Sequence, residues 1–126
     1  MTRAVIIADS GAVQAELTHA LLEARDVEIV RHASGRSDVT ALVEGFRPDL
    51  VIVDDMQWPP RALTRVAEAR RAAPDAAIVV RAERIEGTWL AQALRGGASA
   101  VIPAQAGPAT FHQILAEVLA PTREVA

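Results

Sequence analysis

Two patterns of hydrophobic and polar residues alternate along the 126-residue chain. Short runs that are apolar at every position, rather than at every second one, predict strands buried on both faces. Between these runs, apolar residues recur at steps of three and four, which is typical of amphipathic helices. The patterns predict strands over 4–8, 27–30, 50–53, 77–80 and 99–102, and helices over 12–24, 36–46, 61–73, 87–95 and 108–119.

Five successive strand–helix units predict an α/β fold, in which a parallel sheet is covered by helices on both faces. For a chain of this length we expect the flavodoxin-like, doubly wound (βα)5 three-layer sandwich with strand order 2-1-3-4-5. We expect one domain over residues 1–121 and a polar tail over 122–126. In such sheets functional residues gather at the carboxyl ends of the strands, beside the first strand.

Composition removes several classes of function. The absence of cysteine excludes disulfides and cysteine-based zinc sites. A net charge of -3 and an aromatic content of 3% argue against a direct nucleic-acid surface. No apolar run reaches the roughly 18–20 residues of a membrane helix, and the apolar run near the N-terminus is too short for a signal peptide. We therefore expect a cytoplasmic protein. All 13 basic residues are Arg, so the chain contains no Lys.

Acidic residues follow two of the predicted strands. Asp9 ends the first strand, and Asp54 and Asp55 end the third. Because these strands are neighbours in the expected order, Asp9 and Asp54 should face each other in an acidic pocket that includes Ser10. Carboxylates held close together favour a bound cation such as Mg²⁺, and a carboxylate beside Mg²⁺ can attack phosphorus. The alternative is that these residues only end their strands, and alternation turns Asp55 away from Asp54.

Three stretches resemble the response-regulator receiver (CheY-like) family: AVIIADSGAVQAELTHALLEA, RPDLVIVDDMQWPPRALTRV and LRGGASAVIPA. The resemblance extends from Arg3 to about Leu119. It implies a signalling domain that takes a phosphoryl group on the aspartate ending strand 3, using Mg²⁺, and then changes the surface formed by its fourth helix, fifth strand and fifth helix. On this resemblance Asp54 is the phosphoacceptor, and Asp9 is the first residue of the family's acidic pair.

The chain departs from the family at three positions of this site. The second acid falls on Ser10, the Ser/Thr ending strand 4 on Ala82, and the Lys ending strand 5 on Ala104. A hydroxyl is a weaker ligand for Mg²⁺ than a carboxylate, and alanine donates no hydrogen bond. We therefore predict weak Mg²⁺ binding at most, and weak or absent phosphorylation at Asp54. Arg81 can supply replacement positive charge or contact a ligand, but its place at a strand end favours a solvated side chain.

The remaining expectations concern partners. Trp58 and Trp89 are candidates for partner or ligand contacts, or for partial burial. We expect a non-enzymatic module whose partner is a histidine kinase, a helix-turn-helix output domain or a second copy of itself, bound through the fourth helix, fifth strand and fifth helix. Two alternatives stay open. One is a small-molecule sensor with Trp58 as a wall of its pocket, and the other is a phosphorylation-competent receiver that holds Mg²⁺ with Asp9 and Asp54.

Overall fold

The predicted alternation of strands and helices is present in the computed structural model, which describes residues 1–24, 26–34, 36–54 and 59–120. In chain order, the elements are β1 (Thr2–Ile7), α1 (Gly11–Leu22), β2 (Val27–Ala33), α2 (Val39–Phe46), β3 (Leu50–Asp54), α3 (Pro59–Ala72), β4 (Ala77–Ala82), α4 (Gly87–Arg95), β5 (Ala100–Pro103) and α5 (Pro108–Leu119). The predicted tail over 122–126 lies outside the described residues. In the part of the chain that the structure describes, no helix has the length and apolar character to cross a membrane.

The five strands form one parallel sheet in the order β2-β1-β3-β4-β5, which confirms the predicted flavodoxin-like arrangement. β3 lies between β1 and β4, and its last residue, Asp54, is paired in register with Arg81 of β4. Because all strands point the same way, their ends form two distinct edges. We call them the carboxyl edge and the amino edge of the sheet.

The sheet is buried on both faces, as its continuously apolar strands predict. Successive side chains of a strand point to opposite faces. Val51 and Val53 of β3 therefore lie in a cluster with α2, α3 and α4, while Leu50 and Ile52 lie in a second cluster with α1 and α5. Alternation places the side chain of Asp54 on the α1–α5 face, at the carboxyl edge.

Polar caps and backbone-restricting residues fix the helix ends. The Ser10 hydroxyl accepts a hydrogen bond from the Val13 amide at 3.4 Å, and Asp38 accepts one from the Ala41 amide at 3.1 Å. Pro108 occupies the first turn of α5, where its missing N–H costs nothing.

The connection from α4 to β5 requires glycine at position 97. Gly97 has a φ of +120°, a conformation that side-chain-bearing residues rarely adopt. A Cβ atom there would lie 2.7 Å from the Cβ of Arg70, on α3. The guanidinium of Arg70 covers this turn and donates to the carbonyl oxygens of Gly97, Pro74 and Ala76 at 2.9–3.0, 2.9 and 2.6 Å. The backbone conformation of Gly97 and the hydrogen bonds from Arg70 therefore both hold this turn, which lies at the amino edge of the sheet.

Candidate functional site

A buried ion pair lies at the carboxyl edge of the sheet. Nη1 of Arg81 donates to Oδ1 of Asp54 at 2.9 Å, and the two side chains are only 12% and 7% exposed. Asp54 is the single charged or polar residue among the described ones that is classed with the buried core. Burial removes a carboxylate from water, which is unfavourable unless an opposite charge and hydrogen bonds replace that water. Arg81 supplies both.

This geometry corrects two sequence interpretations. The pattern favoured a solvated side chain for Arg81, and instead it is largely buried against Asp54. The family's Ser/Thr position at the end of strand 4 was assigned to Ala82. The strand register instead pairs Asp54 with Arg81. Ala82 follows one position later, and alternation directs its side chain to the other face. The side chain that reaches Asp54 from β4 is therefore a guanidinium rather than a methyl group.

Arg81 also contacts helix α1. Its Nη2 donates to Oε2 of Glu16 at 3.1 Å. One guanidinium thus connects the ends of β3 and β4 to α1 through two carboxylates. Sequence reasoning missed Glu16, because it lies 65 residues from Arg81 and on a helix face that reads as solvent-exposed.

Asp9 has a different partner. Nη1 of Arg61, on α3, donates to Oδ2 of Asp9 at 3.2 Å, and both side chains are 38% exposed. Asp9 and Asp54, which were predicted to face each other in one pocket, therefore have separate arginine partners, buried at Asp54 and near the surface at Asp9. The neighbouring Ser10 caps α1.

The carboxylates described at this edge are paired with arginine rather than grouped as oxygen ligands for Mg²⁺. Mg²⁺ takes oxygen ligands in near-octahedral geometry, usually including carboxylates. Here Asp9 and Asp54 each accept from a guanidinium, and Ser10 faces its own helix. Within the described ranges, no group of three or more His, Asp or Glu side chains is arranged to hold a metal ion. The positive charge at this edge comes from arginine.

Comparison with known proteins shows what the chain is similar to. No family model matches the chain. It is 28% identical over 109 residues to protein-glutamate methylesterase/protein-glutamine glutaminase 3 of Anaeromyxobacter dehalogenans (strain 2CP-C), a match that covers 86% of this chain. The chain spans only 32% of the length of that curated relative.

Solved structures resemble the chain over nearly its whole length. A two-component response regulator of the LuxR family from Aurantimonas sp. SI85-9A1 superposes with a TM-score of 0.80 at 22% identity, covering 95% of this chain and 86% of that one. A response regulator from Thermotoga maritima gives 0.80 at 16% identity, covering 96% and 100%. The fold is that of response-regulator receiver domains.

Three more predicted positions can be placed on this receiver fold. Ala104 follows β5, and its amide donates to the carbonyl of Ala82 at 2.8 Å, so this position contributes backbone contacts and no ammonium. Trp89, on α4, is partly buried against the cluster of α2, α3 and α4. Asp55 and Trp58 lie outside the described residues.

Proposed function

We propose that this chain is an atypical receiver domain that acts in signal transduction and transcriptional regulation through protein contacts, with phosphorylation at Asp54 weak or absent. The contact between Arg81 and Asp54 carries this proposal. A carboxylate that accepts a phosphoryl group must present an oxygen lone pair to phosphorus. In this domain, Oδ1 of Asp54 is directed to a guanidinium, and the side chain is largely buried.

The magnitude of the effect supports weak reactivity. A hydrogen bond to a charged group contributes about 1.5–3 kcal/mol, which corresponds to roughly ten- to hundredfold in a rate if it must be broken first. Phosphoryl transfer also depends on a metal ion to neutralise the developing charge. The arginines at Asp9 and Asp54 occupy the carboxylates that would hold such an ion. Both effects reduce reactivity.

Phosphorylation by acetyl phosphate with Mg²⁺, followed by intact mass spectrometry, tests this proposal. The wild type should gain no stoichiometric phosphoryl group, and it should behave like the Asp54→Asn variant. Arg81→Thr should gain one faster than the wild type, because it releases the Asp54 carboxylate and supplies a hydroxyl. Arg84→Thr, at an exposed position of the following segment, is the matched control and should not differ from the wild type.

Two results would contradict the proposal. One is a stoichiometric phosphorylated wild type whose label disappears in Asp54→Asn. The other is an Arg81→Thr variant that is folded, as judged by circular dichroism, and no more reactive than the wild type. The first would make the domain a phosphorylation-competent receiver, and the second would remove Arg81 as the cause.

We further propose that partner proteins, including a second copy, bind through α4, β5 and α5. Exposed apolar side chains support this surface: Ile85, which precedes α4, is 40% exposed and Leu94 on α4 is 46% exposed. Receiver-fold neighbours include a two-component regulator of the LuxR family, which supports an output domain as a partner. Analytical ultracentrifugation of Leu94→Glu should show less self-association than the wild type, whereas Leu22→Glu on α1 should show no change.

We propose no catalytic activity for the chain itself. The curated relative is a methylesterase and glutaminase, but the matched stretch is 32% of its length. At the carboxyl edge, Asp9 and Asp54 engage in ion pairs and Ser10 caps α1. An esterase assay on the purified chain should give only the background rate.

A further inference from the structure

A cavity of about 240 Å³ lies between α1 and the segment that joins β5 to α5. Its floor is apolar and consists of Leu17 and Ala20 of α1, Ile102 of β5 and Phe111 of α5. Arg81 lies at one side, so the cavity adjoins the ion pair with Asp54. Small-molecule sites in proteins share this concave, mainly apolar character.

The volume sets the size of an occupant. An engineered apolar cavity of about 150 Å³ is large enough to bind benzene. A cavity of about 240 Å³ therefore accommodates one aromatic ring or a comparable aliphatic body together with a short chain.

The charged side chains around the cavity determine whether it favours a positively or a negatively charged ligand. Glu16 and Glu23 lie two turns apart on the α1 wall. The positive charge of Arg81 is already engaged by Asp54 and by Glu16. Glu23 pairs with His19 at 3.1 Å, but the His19 side chain is 82% exposed and can move into water. Carboxylates outnumber guanidinium groups here, which favours a cation and disfavours an anion.

We propose that this cavity binds a small organic amine. Its aromatic or aliphatic body lies on the floor formed by Leu17, Ala20, Ile102 and Phe111. Its ammonium group replaces His19 as the partner of the Glu23 carboxylate at the rim. Glu23 is a better partner for the ammonium group than Glu16 is. Glu16 already pairs with Arg81, and the positive charge of Arg81 would repel the ammonium group. This binding is independent of the proposed function, since it requires neither Mg²⁺ nor a phosphoryl group on Asp54.

Titration of the unphosphorylated chain with phenethylamine, followed by amide resonances in two-dimensional NMR, tests the site. Phenethyl alcohol and hydrocinnamate have the same ring and a similar chain with a neutral or anionic end. The amine should shift the amides of Leu17, Ala20, Ile102 and Phe111 in a saturable way. The alcohol should bind about tenfold more weakly, because it lacks the charge-assisted contact, and hydrocinnamate should bind more weakly still.

Variants locate the site. Glu23→Gln should weaken phenethylamine binding about tenfold and leave the affinity for the alcohol unchanged. Ala20→Leu should abolish binding of both, because the longer side chain fills the cavity. Ala12→Leu, at an exposed position of α1 outside the cavity, is the matched control and should bind like the wild type.

Three results would overturn the proposal. The first is the absence of saturable shifts at the four floor residues. The second is an affinity for hydrocinnamate equal to or above that for the amine. The third is a shift of the same resonances with protein concentration alone, which would show that a second copy covers the cavity. None of these results depends on whether Asp54 accepts a phosphoryl group.

Discussion

Two arginines at opposite edges of the sheet have different kinds of partners. At the amino edge, the guanidinium of Arg70 donates mainly to backbone carbonyls, including those of Gly97 and Ala76. At the carboxyl edge, Arg81 donates to the carboxylates of Asp54 and Glu16. Arg70 thus satisfies neutral acceptors at the end of a helix and a turn, whereas Arg81 balances negative charge in a buried position.

The two arginines also differ in whether general features of helices explain their contacts. Helix C-termini leave carbonyl groups without intrahelical partners, and a cation there is favourable in any protein. A buried aspartate has no such general reason to be present, since burying its charge is costly. The burial of Asp54 is therefore balanced by Arg81, and this buried pair supports the proposal that the functional site lies at the carboxyl edge.

Removal of Arg81 should have the largest effect on stability. Arg81→Met should lower the free energy of unfolding by about 3 kcal/mol, because it leaves the buried Asp54 carboxylate without its guanidinium. The double variant Arg81→Met/Asp54→Asn should recover most of this loss, since the buried group is then neutral. Urea denaturation followed by circular dichroism measures both values.

The order of the single variants sharpens this test. Asp54→Asn alone should cost less than Arg81→Met, because Arg81 keeps its contact with Glu16. If Arg81→Met costs less than about 1 kcal/mol, the pair behaves like an ordinary surface salt bridge. The contrast between the two edges of the sheet would then disappear.

Most of the fold was predictable, because it depends on local pattern. Buried strands, helix periods, the polar N-cap at Asp38 and the proline in the first turn of α5 each leave a signature within a few residues of sequence. The central ion pair leaves none. Whether Arg81 or Ala82 faces Asp54 depends on the register between β3 and β4, and a shift of one residue reverses the face of a side chain.

The partners of the two predicted acids were unpredictable for a related reason. Arg61 and Asp9 are 52 residues apart, and Arg81 and Asp54 are 27 apart. The hydrophobic periodicity assigns each residue to a helix or a strand. It does not specify which residue of another element a long side chain will contact. The sequence therefore predicted a pocket of carboxylates at the carboxyl edge, considered Arg81 as a source of positive charge but favoured a solvated side chain for it, and missed Arg61.

Gly97→Ala tests the amino edge, with an intermediate effect. The substitution should lower the free energy of unfolding by about 2 kcal/mol, because alanine is strained at a φ of +120° and its Cβ would meet Arg70. Gly45→Ala is the matched control: Gly45 lies within α2 with open space around its Cβ position, and alanine there should be neutral or stabilising. Equal unfolding free energies for the two variants would show that the turn adapts and that Arg70 does not constrain it.

The smallest effect is expected at the exposed pair of Asp9 and Arg61, which shares an edge with Arg81 but not its burial. A double-mutant cycle of Asp9→Asn and Arg61→Gln should give a coupling energy of about 0.5 kcal/mol, decreasing as salt is added, because water and ions screen side chains that are 38% exposed. The same cycle for Asp54 and Arg81 should give a larger coupling with little salt dependence. If the two cycles give equal coupling energies, burial does not make the Asp54 pair stronger than the Asp9 pair. Asp9 would then be as good a candidate as Asp54 for the main acid of the site.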